Sequence, residues 1–330
     1  MKRVILILGL AGLLLMTVLV IRSDWPKLLE ILRLAGWGLL LMLPLHALPM
    51  ACDTASWRVL LSVLPQSRKL SSSFLFWVCA VREAFGMLPV TSLAGDVAGI
   101  RLVAARTGQA TAVTASVITE AFVTLCNQYI FVCIGLMVLL SLHGAPDQLV
   151  VLASGLILAL PVPWVCLHLL RRKRLFAGLQ NVLTRGVGAK MAARVNGAAL
   201  DRAVQQQFSQ PARLLKAMMW QLTGYLLAVL ETWWVLHLFG FEEHFATALV
   251  LEAVVLMVRQ ILVVVPAGIG VQEAGLVMVG SLVGLPPEST LALSLAKRAR
   301  ELLYSTPVLL SWQWHSWQKM RRAEPGTAPQ

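Results

Sequence analysis

Residues 266–273 read Pro266-Ala267-Gly268-Ile269-Gly270-Val271-Gln272-Glu273, a glycine-rich break that carries a carboxylate and is enclosed by apolar sequence. A second stretch, Pro89-Val90-Thr91-Ser92-Leu93-Ala94-Gly95-Asp96, has the same layout. In each, the acid stands seven residues after the proline. Thirty-one residues after each proline a charge interrupts an apolar helix: Glu120 in the first case and Lys297, beside Arg298, in the second. The matched spacing predicts an internal repeat.

With 58% hydrophobic and 13% charged residues and a mean hydropathy of +0.75, the chain is no ordinary soluble domain, in which about 25% of residues are charged. Apolar runs of about 18 residues or more cross a hydrocarbon core of roughly 30 Å as helices, and the alternating pattern of a membrane barrel is missing. The composition predicts an all-α, polytopic integral membrane protein. The net charge of +12 does not call for a nucleic-acid partner. Its Lys and Arg residues gather at the ends of apolar runs and in one central loop, the distribution that orients a protein in a membrane. Cys52, Cys79, Cys126, Cys133 and Cys166 form no CxxC pair and read as small buried hydrophobes.

Taken in order, residues 4–21 form an apolar run behind Lys2 and Arg3, with no small-residue cleavage site after it. The run reads as a first transmembrane helix with a cytoplasmic N-terminus. Residues 34–51 return. Residues 74–93 are apolar but carry Arg82 and Glu83, and Pro89, Gly95, Asp96, Gly99 and Arg101 follow. Backbone so broken needs protein or water as a partner at that depth, so a re-entrant hairpin is expected. Residues 110–142 form a long crossing with Glu120 and Asn127, and residues 149–170 a span kinked by Pro161 and Pro163. Between Arg171 and Lys216 ten Lys or Arg face one acid, Asp201. Residues 171–212 therefore read as a cytoplasmic loop, with an amphipathic surface helix over residues 194–208. Residues 214–239 cross outward; residues 245–265 return with Glu252 and Arg259, break at 266–273 and turn back through 274–285. A last helix over 289–317 carries Lys297, Arg298, Arg300 and Glu301. The sum is one transmembrane domain over residues 1–330 with about six crossings and two re-entrant hairpins, both termini cytoplasmic. The repeats, about 74–142 and about 244–317, are separated by three crossings and are therefore inverted, a design that places transporter sites between the copies.

A charge at the bilayer centre costs about 2.5–3.5 kcal/mol on insertion scales, so these groups must pair or line a wet cavity. Arg298 and Glu301 are three residues apart and Lys297 and Glu301 four, so salt bridges along one helix are one reading. Recurrence in both repeats favours a polar substrate path. Its expected lining is Glu83, Asp96, Arg101, Glu120, Arg259, Gly268, Gly270, Glu273, Arg298 and Glu301. Glycines at 95, 268 and 270 would let amides face a ligand, and a helix starting near Val97 or Val271 would turn its positive end to an anion such as phosphate. Arg101, Arg259 and Arg298 would add forked donors. The chain shows no HExxH, GxSxG, P-loop or Asp-rich cluster, so no catalytic residue, metal or cofactor is expected, and His237 and His315 read as interfacial.

Three segments carry a family resemblance. Leu88-Pro89-Val90-Thr91-Ser92-Leu93-Ala94-Gly95-Asp96 resembles a Leu-Pro…Gly-Gly-Asp stretch, with Ala94 for the first glycine. Pro266 to Ala274 resembles Pro-Gly-Gly-Leu-Gly-Val-Arg-Glu-Ala, with Ala267 and Gln272 as departures. Arg298-Ala299-Arg300-Glu301-Leu302-Leu303…Pro307 is similar to an Arg…Glu-Leu-Leu…Pro pattern. The family is the lysylphosphatidylglycerol synthase transmembrane (flippase-like) family, and the subgroup associated with hopanoid biosynthesis is the most similar. The resemblance implies a bacterial inner-membrane protein that moves a lipid between leaflets, with a membrane lipid as substrate and lipid-biosynthetic enzymes as possible partners. A soluble aminoacyl-transferase domain is absent, so lipid lysylation is not implied, and Gln272 removes one phosphate contact. The alternatives are an intramembrane enzyme acting on a lipid-phosphate and a scaffold for lipid-biosynthetic enzymes.

Overall fold

The structure is a computed structural model describing residues 24–86, 93–143, 161–172, 175–177, 196–241, 244–261 and 270–323. The expected first span at 4–21, Pro89, Gly268 and the side chain of Arg259 lie outside the described residues. Those described form eleven α-helices and no strand.

Helix α1 (Trp25–Ala35) is amphipathic: Leu28, Ile31 and Ala35 are buried, and Lys27, Glu30 and Arg33 are exposed. The Asp24 carboxylate accepts from the Lys27 amide and fixes its start. A 3₁₀ segment, Gly36–Leu41, leads into α2 (Met42–Leu61), which packs along α8 (Pro211–Leu238). Helices α3 (Ser72–Gly86) and α4 (Leu93–Thr107) lie side by side and antiparallel: Arg106 covers the Phe74 ring at one end, and Arg82 meets Gly95 and Asp96 at the other. Each has 15 described residues, about 22 Å of helix. Helix α5 (Ala110–His143) runs on to pack against α4 and α9 (Phe245–Ile261). Helix α6 (Pro161–Leu170) and α7 (Gly197–Phe208) lie against α5. Helix α10 (Val271–Leu282) packs on both α9 and α11 (Pro287–Ala323).

The bundle is apolar outside and partly charged within. Leu34, Trp37, Met137, Leu215 and Leu310 are exposed, while Glu231 and Glu273 are no more than 1% accessible. A water-soluble fold distributes these residues the other way. Two stretches, Pro26–Leu61 and Ala110–Ser141, are long and apolar enough to cross a membrane. The remaining expected crossings fall on shorter or more charged helices, or on residues outside those described.

Small residues set the closest approaches. A Cβ on Gly135 of α5 would lie 2.2 Å from the Ala253 Cβ of α9, and one on Gly280 of α10 would lie 2.2 Å from a Thr290 methyl of α11. This is how membrane helices gain dispersion contact where water offers no driving force between them.

The amphipathic segment of the central loop differs from expectation. It starts at Gly197, capped by Asn196, and is docked: Leu200, Val204 and Phe208 are buried, Phe208 packing edge-on to Phe122 of α5. Asp201, the loop's one acid, is buried because it accepts the amide protons of Phe176 and Ala177 at 3.0 and 2.9 Å.

A Cβ at Gly95 would stand 2.3 Å from the Arg82 carbonyl oxygen, whereas one at Gly86 meets nothing within 4 Å. Gly95→Val should therefore force α3 and α4 apart and cost about 1–3 kcal/mol. Gly86→Ala should be tolerated. Thermal unfolding of the two variants in detergent checks the contrast; equal behaviour would mean that the α3–α4 contact is not tight.

Candidate functional site

Arg82 and Glu83 are neighbours on α3, about 100° apart around the helix, and each enters a different cluster of charges, Arg82 largely buried and Glu83 partly exposed. Arg82 faces α4 and α5. Its Nε and Nη2 donate to Asp96 Oδ1 at 3.0 and 2.8 Å, and its Nη1 lies 2.7 Å from Glu120 Oε2. The guanidinium sits 4.7 Å over the Trp57 ring of α2, whose indole N–H donates to Ser116 of α5. Gly95 and Gly99 make this possible, since a Cβ at either would collide with the Arg82 backbone or side chain.

Glu83 faces the other way, toward His46 of α2, with Oε1 2.9 Å from Nε2. The opposite ring nitrogen, Nδ1, lies 2.9 Å from Arg300 Nη1 on α11. A guanidinium only donates, so Nδ1 accepts and the imidazole proton resides on Nε2, directed at Glu83. Arg300 Nη1 also reaches both carboxylate oxygens of Glu231 on α8 at 2.7 Å. From there the chain of charges continues along α11. Arg300 lies 3.8 Å from Glu301, Glu301 accepts from Arg298 at 3.2 Å, and Arg298 Nε donates to Glu273 of α10 at 3.1 Å. The Ser294 hydroxyl adds a bond to Glu273 at 3.3 Å. A branch joins Lys297 and the Thr232 hydroxyl to one oxygen of Glu252 on α9.

The network brings together Glu83, Asp96, Glu120, Gly270, Glu273, Arg298 and Glu301 of the expected lining. It leaves out Arg101, which is exposed; five residues past Asp96, it stands about 140° round α4. The expected anion site at the start of α10 is filled from within. Gly270, with φ of +82°, is the N-cap, and its amide donates to Glu273 Oε2 at 2.6 Å. The protein's own carboxylate thus occupies the helix end. Val97 is not at a helix start either, because α4 begins at Leu93. Lys297 is directed at Glu252 of another helix, so of the two expected pairs Arg298–Glu301 closes along α11.

His46, Glu231, Thr232 and Glu252 also belong to the site. Glu231 lies in the apolar run of residues 214–239 and answers to the same test as the other buried acids. Arg82 had a further signal: it precedes Pro89 by seven residues, as Arg259 precedes Pro266.

Among the described residues of the network, carboxyl groups outnumber permanent cations. Glu83, Asp96, Glu120, Glu231, Glu252, Glu273 and Glu301 are seven carboxyl groups against four permanent cations, Arg82, Lys297, Arg298 and Arg300. Asp53 of α2 is a further acid in electrostatic range of Glu83 and Glu120. Even a charged His46 would leave acids in excess among these described residues, which do not include the side chain of Arg259. Among the described residues no group of three or more His, Cys, Asp or Glu is arranged to hold a metal.

An apolar exterior around a charged, cross-linked interior defines a helical integral membrane protein. Residues 5–308 match the model of the lysylphosphatidylglycerol synthase TM region. The match covers nearly the whole chain, so the protein belongs to that family and is a lipid-related membrane protein. Comparison with curated proteins and with solved structures finds no match.

Arg300→Leu alone would leave Glu231 buried without its cation and should cost about 3–5 kcal/mol. Combining it with Glu231→Leu should restore most of the loss, as read by thermal unfolding in detergent. Additive losses in the double variant would show that the two do not act as a pair.

Proposed function

We propose that the protein translocates an amphiphilic lipid between the leaflets of a bacterial inner membrane through a polar cavity at the network. A hopanoid or related lipid, the cargo implied by the motifs at residues 88–96 and 266–274, fits this role best. In this proposal α3–α4 and α9–α10 are re-entrant hairpins of an inverted repeat, both termini are cytoplasmic, and the hairpin acids Asp96 and Glu273 meet the cargo's polar end. The chemistry is binding and release, without a bond-breaking step.

The observation that carries the proposal is the excess of acid among the described residues of the network. A network that only fastened helices would be best served by matched charges, since every unmatched buried ion costs solvation energy. Carboxyl groups from seven helices, in excess of the network's described cations, instead suit a site that takes up and releases protons or a polar headgroup. Movement of α3–α4 would exchange partners around Arg82 and His46, movement of α9–α10 would exchange those of Lys297 and Arg298, and alternating access needs two such arrangements.

The test is leaflet exchange in proteoliposomes, with a fluorescent amphiphile read by an impermeant quencher. Glu231→Gln and Asp96→Asn should each slow exchange about tenfold or more while the protein stays folded. Unchanged exchange in both would overturn the cavity proposal. Conversion of a labelled lipid by the purified protein would move the assignment to an intramembrane enzyme.

A further inference from the structure

A groove of about 470 Å³ opens where α3 begins and α11 approaches its end. Its α3 wall is formed by Ser71, Ser73 and Trp77, its α11 wall by Trp314, His315 and Gln318, and Arg106 enters from the last turn of α4. The exposed Arg58, Arg68 and Lys69 lie nearby in sequence, so the groove sits at the polar boundary of the bundle, away from the buried network. From these features we infer that the groove binds the phosphate group of a membrane lipid, with the lipid's apolar part against the tryptophans.

Arg106 carries the inference. Its guanidinium carbon stacks 3.5 Å over the Phe74 ring, which fixes its plane and leaves its N–H edges as donors. The buried guanidiniums of Arg82, Arg298 and Arg300 are all tied to carboxylates, whereas no carboxylate is bonded to Arg106 among the described residues. No acidic side chain lines the groove among those described. Ser71 accepts the Phe74 amide proton at 3.2 Å, so its own O–H is available to donate. The indole N–H of Trp77 is spent on Ser311 at 2.9 Å, and its ring meets His315 edge-on, which makes this wall rigid. Trp314 is 61% exposed and leans on Trp317.

A forked cation, hydroxyl and amide donors, and a fixed aromatic wall together match a phosphodiester with attached hydrocarbon. The positive end of α3 adds to the attraction. A free phosphate would use the donors and leave the aromatic wall idle. The buried network, rich in acid, offers such a group no equivalent place. The inference needs the chain only to be membrane-embedded and does not depend on translocation.

The test is lipid retention by the full-length protein in neutral detergent, read by native mass spectrometry with phosphatidylglycerol, diacylglycerol, glycerol phosphate and inorganic phosphate as probes. Phosphatidylglycerol should be retained and diacylglycerol lost. Arg106→Gln should weaken retention about tenfold, and Trp314→Ala should weaken it as well. Arg202→Gln, an exposed cation on α7, makes the same change in net charge and should leave retention unchanged. Equal losses in Arg106→Gln and Arg202→Gln would reduce the effect to general charge and overturn the inference. Equal binding of inorganic phosphate or glycerol phosphate would make the groove a free-phosphate site and overturn it too. Should Arg106→Gln misfold, Arg106→Lys keeps the charge without the fork and should retain lipid only partly; full retention would be evidence against the fork.

Discussion

No charge in the interior of this bundle can stand alone, and much of the architecture follows from that constraint. Arg82 needs Asp96 and Glu120, and to reach them α3 must lie against α4 closely enough that only glycine fits at positions 95 and 99. Arg300 needs Glu231, which ties α11 to α8, and through His46 both are tied to α2 and to Glu83 of α3. Hydrophobic packing cannot specify this arrangement by itself, because the lipid surrounding the bundle is as apolar as the side chains it would sort. The ion pairs supply direction where the apolar contacts supply cohesion.

Two clusters meet on consecutive residues of one short helix. Arg82 and Glu83 bind partners on different faces of α3, so a rotation or shift of that helix disturbs both sets at once. This is a physical route by which the α3–α4 pair and the α8–α11 pair can sense one another. It passes through charge-assisted bonds, which have discrete alternatives, and not through a deformable apolar core.

The membrane class, the helical content and most of the helix bounds were legible in the sequence, because long apolar runs bounded by proline, glycine and basic residues leave few alternatives. The site was legible in part. Glu83, Asp96, Glu120, Glu273, Arg298 and Glu301 were visible as charges in the wrong solvent, and the proline spacing found Asp96, Glu120 and Glu273 by register. What the sequence could not show is which group answers which. Arg101 read as a forked donor beside Arg259 and Arg298, but it stands about 140° round α4 from Asp96 and is exposed. Nothing in the sequence marks His46, because its meaning depends on Arg300, 254 residues away. The glycine break before Glu273 looked like an anion site, yet the acid three residues on folds back and closes it. Such self-capping depends on the φ of a single residue, which composition and spacing do not encode.

The order in which the charges are made has its own consequence for assembly. Glu231, Glu252 and Glu273 all leave the ribosome before Arg300, Lys297 and Arg298, the cations that the folded protein gives them. During synthesis these acids must enter the membrane protonated, or wait at the insertion machinery, until α11 arrives. The last helix is thus the closing key of the bundle, and the nascent chain stays unfinished in an electrical sense until its final segment is inserted.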